Sequence, residues 1–258
     1  MTLADYEYKG LVAQAWDVLR GDTSNWPDRF FYKKVIQQSG EPVLDVGCGT
    51  GRLLLDYLSQ GIDVEGVDNS PDMLEICKKK AVEQGLAPKL YEQNIETLEL
   101  PKKYQTILVP SSTLQLIVEP SEADKALKRL IDHLLPGGVI VASIMTLWRE
   151  GEPLVSEMEK ASASDQDGVK FRRVSKSFYN PKSECEDTQD LYQMIVGDKV
   201  ILEETHRRYP ATRSYSQVQA KDLFERAGFK KIKLFSEFSF DPVKPKDALF
   251  VVFGEKTT

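Results

Sequence analysis

A chain of 258 residues is long enough for one large hydrophobic core with an elaboration, whereas two equal domains would both be small. Hydrophobic residues make up 41% and charged residues 29% of the sequence, a composition typical of a globular protein that needs no disulfide or metal to fold. The net charge of −6 argues against nucleic acid as a partner, because affinity for a phosphate backbone depends on clustered Lys and Arg.

Cysteine and histidine usage predicts a reducing environment and no metal centre. The three cysteines include no Cys-x-x-Cys pair, and the two histidines are too few for a His-rich site. Acidic residues interrupt the apolar positions near the N-terminus, and no apolar run approaches the ~18 residues of a membrane span. We therefore expect a cytoplasmic protein without a signal peptide or a membrane-spanning segment.

Two helices are predicted at the N-terminus. Apolar residues recur at helical spacing from Leu3 to Leu19, and a second helix is expected to begin near Pro27 or Asp28. We expect residues 1–40 to form a unit that closes one side of the functional site.

Beyond Gly40 the pattern changes to short apolar strands that alternate with helices. Strands that are apolar on both faces predict a parallel sheet covered by helices on both sides. The expected strands are Val43–Val46, Val64–Val67, Lys89–Glu92, Thr106–Val109 and Val139–Ile144, and the helices between them are Arg52–Ser59, Pro71–Gln84 and Glu122–Leu134. Ligands of such sheets bind outside the carboxyl ends of the strands, so we expect residues 41–147 to form the cofactor-binding core.

The alternation breaks between residues 148 and 212. The polar run from Glu159 to Gly168 predicts an exposed loop, and Gly197-Asp198 is typical of a hairpin turn. A small antiparallel β insertion that covers the site is expected over residues 148–212, built from Val169–Phe178, Leu191–Val196 and Lys199–Glu204.

Residues 213–258 resume the α/β pattern and are expected to complete the core sheet. They contain a predicted helix over Gln217–Ala227 and predicted strands near Phe229–Leu234 and Ala248–Gly254. The sequence therefore predicts an α/β fold that is Rossmann-like and doubly wound, with a mostly parallel seven-stranded sheet, helices on both faces and a small antiparallel β insertion.

A glycine-rich turn follows the first predicted strand in "EPVLDVGCGTGRLL", Glu41 to Leu54. Gly47, Gly49 and Gly51 permit positive φ angles and a close approach of the backbone to a ligand at a helix N-terminus. The turn departs from the dinucleotide fingerprint Gly-x-Gly-x-x-Gly, because Arg52 stands where the third glycine would fall.

Two carboxylates narrow the choice of ligand. Asp45 lies two residues before Gly47, where it would repel a pyrophosphate. Asp68 ends the next strand in "VEGVDNS", where a carboxylate can accept hydrogen bonds from both hydroxyls of a ribose. A ligand with a ribose at one end and a cationic group near the first strand fits these positions better than a dinucleotide does. S-adenosylmethionine is such a ligand.

These motifs together resemble the class I S-adenosylmethionine-dependent methyltransferases of the small-molecule type. "VLDVGCGTGRL" resembles the first motif of that family, and "VDNSPDML" (Val67–Leu74) resembles its acidic loop after the second strand. "YEQNIETLELP" (Tyr91–Pro101) is similar to its adenine-contacting loop, and "HLLPGGVIVASI" (His133–Ile144) to the segment that leads into the fifth strand. The resemblance is strongest over residues 32–145.

The resemblance implies S-adenosylmethionine as the cofactor, no metal, and a set of binding residues. It places Asp45 near the methionine ammonium, Asp68 on the ribose diol and Asn94 on the adenine amino group. The full implied set is Asp45, Gly47, Cys48, Gly49, Gly51, Asp68, Asn69, Met73, Asn94, Ile95, Pro110 and Ser111. Cys48 is expected to be a small loop residue and not a nucleophile.

The acceptor side of the site is less defined by the sequence. Methyl transfer depends on positioning and exclusion of water more than on a general base, so no catalytic residue is assigned. The loop "VPSSTLQLI" lacks the Asn/Asp-Pro-Pro-aromatic motif of enzymes that methylate base amines, and Ser111, Ser112 and Gln115 offer neutral hydrogen-bonding groups instead. Candidate groups on the acceptor side are Tyr32, Trp148, Arg173, His206, Arg207 and Tyr215, with His206 the first candidate for a base.

The function implied by the resemblance is methyl transfer to a nitrogen or oxygen of a small molecule, with neither nucleic acid nor membrane as a partner. One alternative is a methyltransferase that acts on a protein or another macromolecule. Another is a non-catalytic S-adenosylmethionine-binding protein, because the motifs specify the cofactor and not turnover. A dinucleotide-dependent oxidoreductase is disfavoured by Asp45 and Arg52.

Overall fold

The computed structural model describes residues 8–257, except for the side chains of residues 158–162. Six helices occur among the described residues, namely α1 (Leu11–Arg20), α2 (Pro27–Ser39), α3 (Leu54–Ser59), α4 (Pro71–Glu83), α5 (Pro120–Asp132) and α6 (Gln217–Ala227). Helix α1 begins later than the helix predicted from Leu3, and residues 3–7 of that prediction lie outside the described residues. None of the helices in residues 8–257 has the length and apolar character needed to cross a membrane.

The central sheet has seven strands in the order β10-β11-β5-β4-β1-β2-β3. Its strands are β1 (Val43–Val46), β2 (Val64–Asp68), β3 (Lys89–Glu92), β4 (Tyr104–Val109), β5 (Leu134–Met145), β10 (Lys230–Ser236) and β11 (Leu249–Glu255). Strands β1 to β5 are parallel, whereas β11 is antiparallel to both β5 and β10. The predicted mostly parallel, seven-stranded, doubly wound sheet is confirmed.

The strand order reverses beside β1, and this reversal locates the ligand cleft. Val43 on β1 is in register with Val64 on β2 on one side and with Thr106 on β4 on the other. The chain winds outward through β2 and β3, and then returns to β4. A crevice opens at the carboxyl ends of the strands at such a switch point, and here the glycine-rich turn follows β1.

Two hydrophobic layers cover the sheet, because its strands are buried on both faces. Ile107 and Val109 on β4 point into the layer that holds α5 and α6, and Leu108 between them points into the layer that holds α2, α3 and α4. The alternation is the two-residue period of a strand, and the near-continuous apolar sequence follows from burial of both faces.

A second sheet of four antiparallel strands enters after β5 and returns before α6. It has the order β6-β7-β8-β9, with β6 (Val155–Ser164), β7 (Lys170–Asn180), β8 (Cys185–Val196) and β9 (Lys199–Arg213). Helix α1 packs on one face of this sheet, where Leu11, Val12 and Ala15 form a small core with Phe171 and Tyr192. The predicted antiparallel β insertion is therefore confirmed, and α1 joins it to the rest of the fold.

The predicted exposed loop from Glu159 to Gly168 is wrong over its first half. Strand β6 runs to Ser164 in register with β7, and the turn is confined to the residues around Asp165–Gly168. Small and polar residues have low intrinsic strand preference, but hydrogen bonding along an edge strand outweighs it. The sequence also underestimated two other strands, since β8 begins at Cys185 and not at Leu191, and β9 continues to Arg213 and not only to Glu204.

Gln115 fixes the points where the chain leaves and re-enters the central fold. It is fully buried in a short turn, Thr113–Leu116, and its side-chain Nε2 donates to the carbonyls of Met145 (3.0 Å) and Arg213 (2.9 Å). Its Oε1 accepts from the amide of Met145 at 2.7 Å. Gln115 is thus fully engaged with the backbone, and the prediction that it offers a polar group to the acceptor is wrong.

Replacement of Gln115 by Ala is expected to lower the free energy of unfolding by about 2–4 kcal/mol, because it leaves buried backbone groups unpaired. Urea denaturation followed by circular dichroism measures this change. Gln189→Ala, at an exposed position of β8, is the matched control and is expected to have no effect. A loss of less than ~0.5 kcal/mol for Gln115→Ala would contradict the assignment.

Candidate functional site

A cavity of about 300 Å³ lies at the carboxyl ends of β1, β2 and β4. Eleven of the twelve residues implied to bind the cofactor border it, and Gly51 does not. These eleven are Asp45, Gly47, Cys48, Gly49, Asp68, Asn69, Met73, Asn94, Ile95, Pro110 and Ser111. The loops that follow four different strands therefore converge on one space.

All three glycines of the turn have positive φ angles, but they differ in whether a side chain would fit. Gly47 (φ +70°) and Gly51 (φ +83°) also lack room for a side chain, because a Cβ would lie 2.6 Å from Thr113 and from Cys77 respectively. Gly49 (φ +53°) has open space where its Cβ would be, and its amide points at Asp68. Gly51 thus serves packing of the turn on α4, and Gly47 and Gly49 shape the cavity wall.

Asp68 ends β2 and is anchored by backbone amides on both oxygens. Its Oδ2 accepts from Gly49 at 2.8 Å and its Oδ1 accepts from Ser70 at 2.9 Å. Burial raises the pKa of Asp68, while the surrounding amides act in the opposite direction. Each carboxylate oxygen still has a lone pair that can accept a ligand hydroxyl, and the carboxylate is held rigidly for that purpose.

Asp45 is almost completely buried at the end of β1 and borders the cavity. Its Oδ1 has no hydrogen-bond partner among the described residues. Burial raises the pKa of Asp45 to about 7, although the guanidinium of Arg52 lowers it. A buried carboxylate oxygen without a hydrogen-bond partner is costly, and it suits a cationic ligand group that would supply the missing interaction.

Arg52 is engaged with the protein and does not project freely into the cavity. It forms a two-pronged ion pair with Asp28 on α2, in which Nη1 donates to Oδ1 at 3.0 Å and Nη2 contacts Oδ2. Both side chains are largely shielded from solvent. Arg52, which stands in place of the third glycine of a dinucleotide fingerprint, therefore joins the glycine-rich turn to α2.

The far end of the cavity combines two amides with apolar side chains. Asn69 Nδ2 donates to Asn94 Oδ1 at 3.0 Å, so the two residues after β2 and β3 are linked. Met73 is buried beside them, and Ile95 is partly buried. Such a surface, apolar with amide groups at the edge, is suited to a flat heteroaromatic ring.

The remaining wall comes from the loop after β4. Ser111 and Ser112 have left-handed backbone angles, with φ of +54° and +59°, which bend the chain back toward the cavity. Cys48 is buried in the opposite wall, and burial raises the pKa of its thiol well above the ordinary value. A raised pKa keeps the thiol protonated at neutral pH, and the thiolate is the nucleophilic form of cysteine.

Sequence reasoning missed several cavity residues. Tyr8, Trp16 and Arg20 approach from the N-terminal segment, Leu116 from the turn after β4, and Arg208 from β9. Tyr8 packs edge-on against Trp16 with ring centroids 4.7 Å apart, and the guanidinium of Arg20 lies 3.9 Å from the Trp16 ring centroid. Helical periodicity identified the helix but not which of its aromatic residues face the cofactor side.

A second cavity, of about 570 Å³, lies between α1 and the inner face of the antiparallel sheet. It shares Tyr8, Trp16, Leu116 and Arg208 with the first cavity, so the two spaces adjoin. Among the predicted acceptor-side residues it is bordered by Arg173, His206 and Arg207. Arg173 is bound to Asp190, with Nε and Nη2 at 2.9 and 2.8 Å from Oδ1.

The other predicted acceptor-side residues border neither cavity. Tyr32 is fully buried and packs on Phe31 and Phe238 in the second hydrophobic layer, and Tyr215 is buried in the first. Trp148 stacks on Tyr179 with ring centroids 5.2 Å apart. All three aromatic side chains pack against other parts of the protein, so the prediction that they lie on the acceptor side is wrong.

Comparison with known families gives a match to the methyltransferase domain family over residues 43–138. A putative methyltransferase from Geobacillus sp. (strain WCH70) is 30% identical over 123 residues, which is 46% of this chain and 50% of that protein. The dTDP-3-amino-3,6-dideoxy-alpha-D-glucopyranose N,N-dimethyltransferase of Streptomyces fradiae is 26% identical over 210 residues, 78% of each chain. The sequence match therefore spans half of the first relative and most of the second.

A solved structure supports the same assignment for the whole fold. An S-adenosylmethionine-dependent methyltransferase from Clostridium acetobutylicum superposes with a TM-score of 0.76 at 18% identity, over 95% of this chain and 97% of that one. The superposition covers 95% of the chain, whereas the family model covers residues 43–138. Residues 43–138 therefore match the methyltransferase domain family, and the chain as a whole has the fold of that solved methyltransferase.

Proposed function

We propose that the protein is an S-adenosylmethionine-dependent methyltransferase that acts on a nitrogen or oxygen of a small polar molecule. The observation that carries this proposal is the pair of adjoining cavities. One lies where the fold binds its cofactor, and the other lies under the antiparallel sheet with Tyr8, Trp16, Leu116 and Arg208 as shared walls.

The chain's own residues fit the cofactor. The unpartnered Oδ1 of Asp45 suits the ammonium of the methionine part, and the backbone-anchored carboxylate of Asp68 suits a ribose diol. Asn69, Asn94 and Ile95 suit the adenine, with Pro110 and Ser111 beside the reacting end. When bound, S-adenosylmethionine supplies an electrophilic methyl group on a positively charged sulfur.

The role of the protein is then to position the acceptor and to exclude water. Helix α1 and β9 close the second cavity from opposite sides, and its walls are largely polar or charged. His206 is the first candidate for the group that takes a proton from the acceptor, because it borders this cavity. The related Streptomyces fradiae enzyme, named as an N,N-dimethyltransferase of a nucleotide-linked amino sugar, supports an amine as the acceptor.

Two alternatives are separated by experiment. A macromolecular acceptor would need the second cavity to be open as a docking surface, and a non-catalytic protein would bind the cofactor without turnover. The second cavity, of about 570 Å³ between α1 and the sheet, has a volume typical of small-molecule sites, and this favours a small acceptor over a macromolecular one.

The affinity for S-adenosylhomocysteine is expected to fall about tenfold between pH 8 and pH 6. The ligand ammonium pairs with ionised Asp45, whose pKa in the free protein is about 7, so below pH 7 a proton must leave before the ligand binds. Isothermal titration calorimetry in buffers of different ionisation enthalpy measures both the affinity and the proton released.

Asp45→Asn is the control for this dependence. It is expected to bind weakly at both pH values and to be more stable than the wild type at pH 8 by about 1–3 kcal/mol. The sign follows because a carboxyl whose folded pKa is raised destabilises the fold above that pKa and not below the unfolded value near 4. Wild-type binding that does not change between pH 6 and pH 8 would contradict this role of Asp45.

The proposed activity is tested with dTDP-3-amino-3,6-dideoxy-α-D-glucopyranose and its 3-hydroxy counterpart as acceptor probes. Mass spectrometry is expected to detect a methylated probe together with S-adenosylhomocysteine. Asp68→Ala is expected to reduce kcat/KM at least about 100-fold, because two charge-assisted hydrogen bonds to the cofactor are lost.

Asp63→Ala is the matched control, since Asp63 is an exposed carboxylate just before β2, at the opposite end of that strand from Asp68. It is expected to retain wild-type activity. Tight binding of S-adenosylhomocysteine without turnover of either probe would count against transfer to a small molecule and would favour the non-catalytic alternative.

A further inference from the structure

The carboxylate of Glu204 on β9 has two partners on different elements. Its Oε2 accepts from the amide of Leu11 at 2.9 Å and lies 3.0 Å from Nε2 of His206. Gly10 makes the first contact possible, because a Cβ there would lie 2.5 Å from the same oxygen. One oxygen atom therefore joins the start of α1 to the imidazole in the second cavity.

The N-terminus of α1 is held from the central fold as well. The amide of Gly10 donates to Oδ2 of Asp72 on α4 at 2.7 Å, and the hydroxyl of Ser70 donates to the carbonyl of Tyr8. The amides of Gly10 and Leu11 thus donate to carboxylates of the central fold and of the antiparallel sheet, respectively. Both carboxylates lie at the positive end of the helix dipole. Asp72 and Glu204 make equivalent contacts to α1, but of the two Glu204 is the one that also contacts His206.

The contact to Glu204 determines which nitrogen of His206 carries the hydrogen. An ionised carboxylate can only accept, so the neutral imidazole must donate from Nε2, and the lone pair remains on Nδ1. Asp190 lies opposite His206 on β8, but both of its close contacts go to Arg173. Glu204, and not Asp190, is therefore the carboxylate partner of the imidazole.

We propose that Glu204 is the positioning residue of the methyl-transfer site. It holds His206 as the Nε2–H tautomer, and Nδ1 takes the proton that the acceptor nitrogen or oxygen loses. The acceptor keeps the electron pair for its new bond to the methyl carbon, while the bond between that carbon and sulfur breaks with its electron pair going to sulfur, so that S-adenosylhomocysteine is the leaving group. The resulting imidazolium is paired with Glu204. Because Leu11 shares the same carboxylate oxygen, this orientation of His206 is linked to the docked position of α1.

This inference rests on the proposed function, and its test does not require the acceptor to be known. The chain has two histidines, so protein labelled with ¹⁵N histidine gives two imidazole ring systems in NMR spectra. His133 is an internal reference of the opposite tautomer, because its Nε2 accepts from the amide of Leu100 and its Nδ1 faces the carbonyl of Arg129. His206→Gln assigns the second ring.

With S-adenosylhomocysteine bound, His206 is expected to show a hydrogen-bonded Nε2–H proton, shifted downfield and slow to exchange with water. Glu204→Ala is expected to lose this resonance. Glu204→Gln keeps an oxygen acceptor but no charge, and is expected to shift the resonance upfield. If the alanine variant does not fold, the glutamine variant provides the same comparison.

Asp72→Ala is the matched control, because it removes the other carboxylate at the start of α1 and leaves Glu204 in place. It is expected to retain the Nε2–H resonance. The proposal is overturned if wild-type His206 carries its hydrogen on Nδ1, if Glu204→Ala retains the resonance, or if Asp72→Ala loses it equally. Failure of the proposed function would appear separately, as absence of S-adenosylhomocysteine binding or of methyl transfer to the probes.

Discussion

The proposed site depends on a buried carboxylate, Asp45, which lies at the end of β1 in the wall of the first cavity. Its Oδ1 has no partner within residues 8–257, and burial holds its pKa near neutrality. No hydrogen bond within that part of the chain offsets the loss of hydration at this oxygen, and the pKa stays raised in spite of the charge of Arg52, so a cation in the cavity is the natural compensation. In the glycine-rich turn that follows Asp45, the amides of Gly47 and Cys48 donate to the carbonyl of Val67 and the amide of Gly49 donates to Asp68, so the turn is fastened to the end of β2. Under the proposed function, Asp45 is the residue that favours an amino acid group over a pyrophosphate.

Helix α1 and the residues just before it form part of the wall of both cavities. The helix packs its apolar residues on the antiparallel sheet, while its first amides contact Asp72 on the central fold and Glu204 on β9. Tyr8 and Trp16 then border both spaces. A change in the position of α1 would therefore alter both cavities together.

The sequence predicted what depends on local structure. The strands, the glycine-rich turn and the placement of Asp45 and Asp68 follow from periodicity and from the rule that ligands bind at the carboxyl ends of parallel strands. Contacts made across the fold were not predicted. Arg208 reaches the first cavity only because β9 continues well past its apolar segment. Gln115 was predicted to face the acceptor because its three hydrogen bonds to backbone groups form only in the folded chain.

Tyr32 and Tyr215 were predicted to face the acceptor, and the sequence did not show that they would be buried. Both are polar aromatic residues on elements near the site, and both are buried by hydrophobic layers that form only in the folded chain. Strand β6 was missed because its small and polar residues do not indicate a strand, whereas in the fold it pairs with β7 at the edge of the antiparallel sheet. Residue type at a position indicates possible chemistry, and packing decides whether that chemistry is exposed.

A crystal structure of the protein with S-adenosylhomocysteine tests the central role of Asp45 most directly. The ligand is expected in the cavity at the ends of β1, β2 and β4, with its ammonium in contact with Asp45 Oδ1 and its ribose hydroxyls on Asp68. A ligand bound elsewhere, or one whose ammonium leaves Asp45 without a partner, would contradict this role.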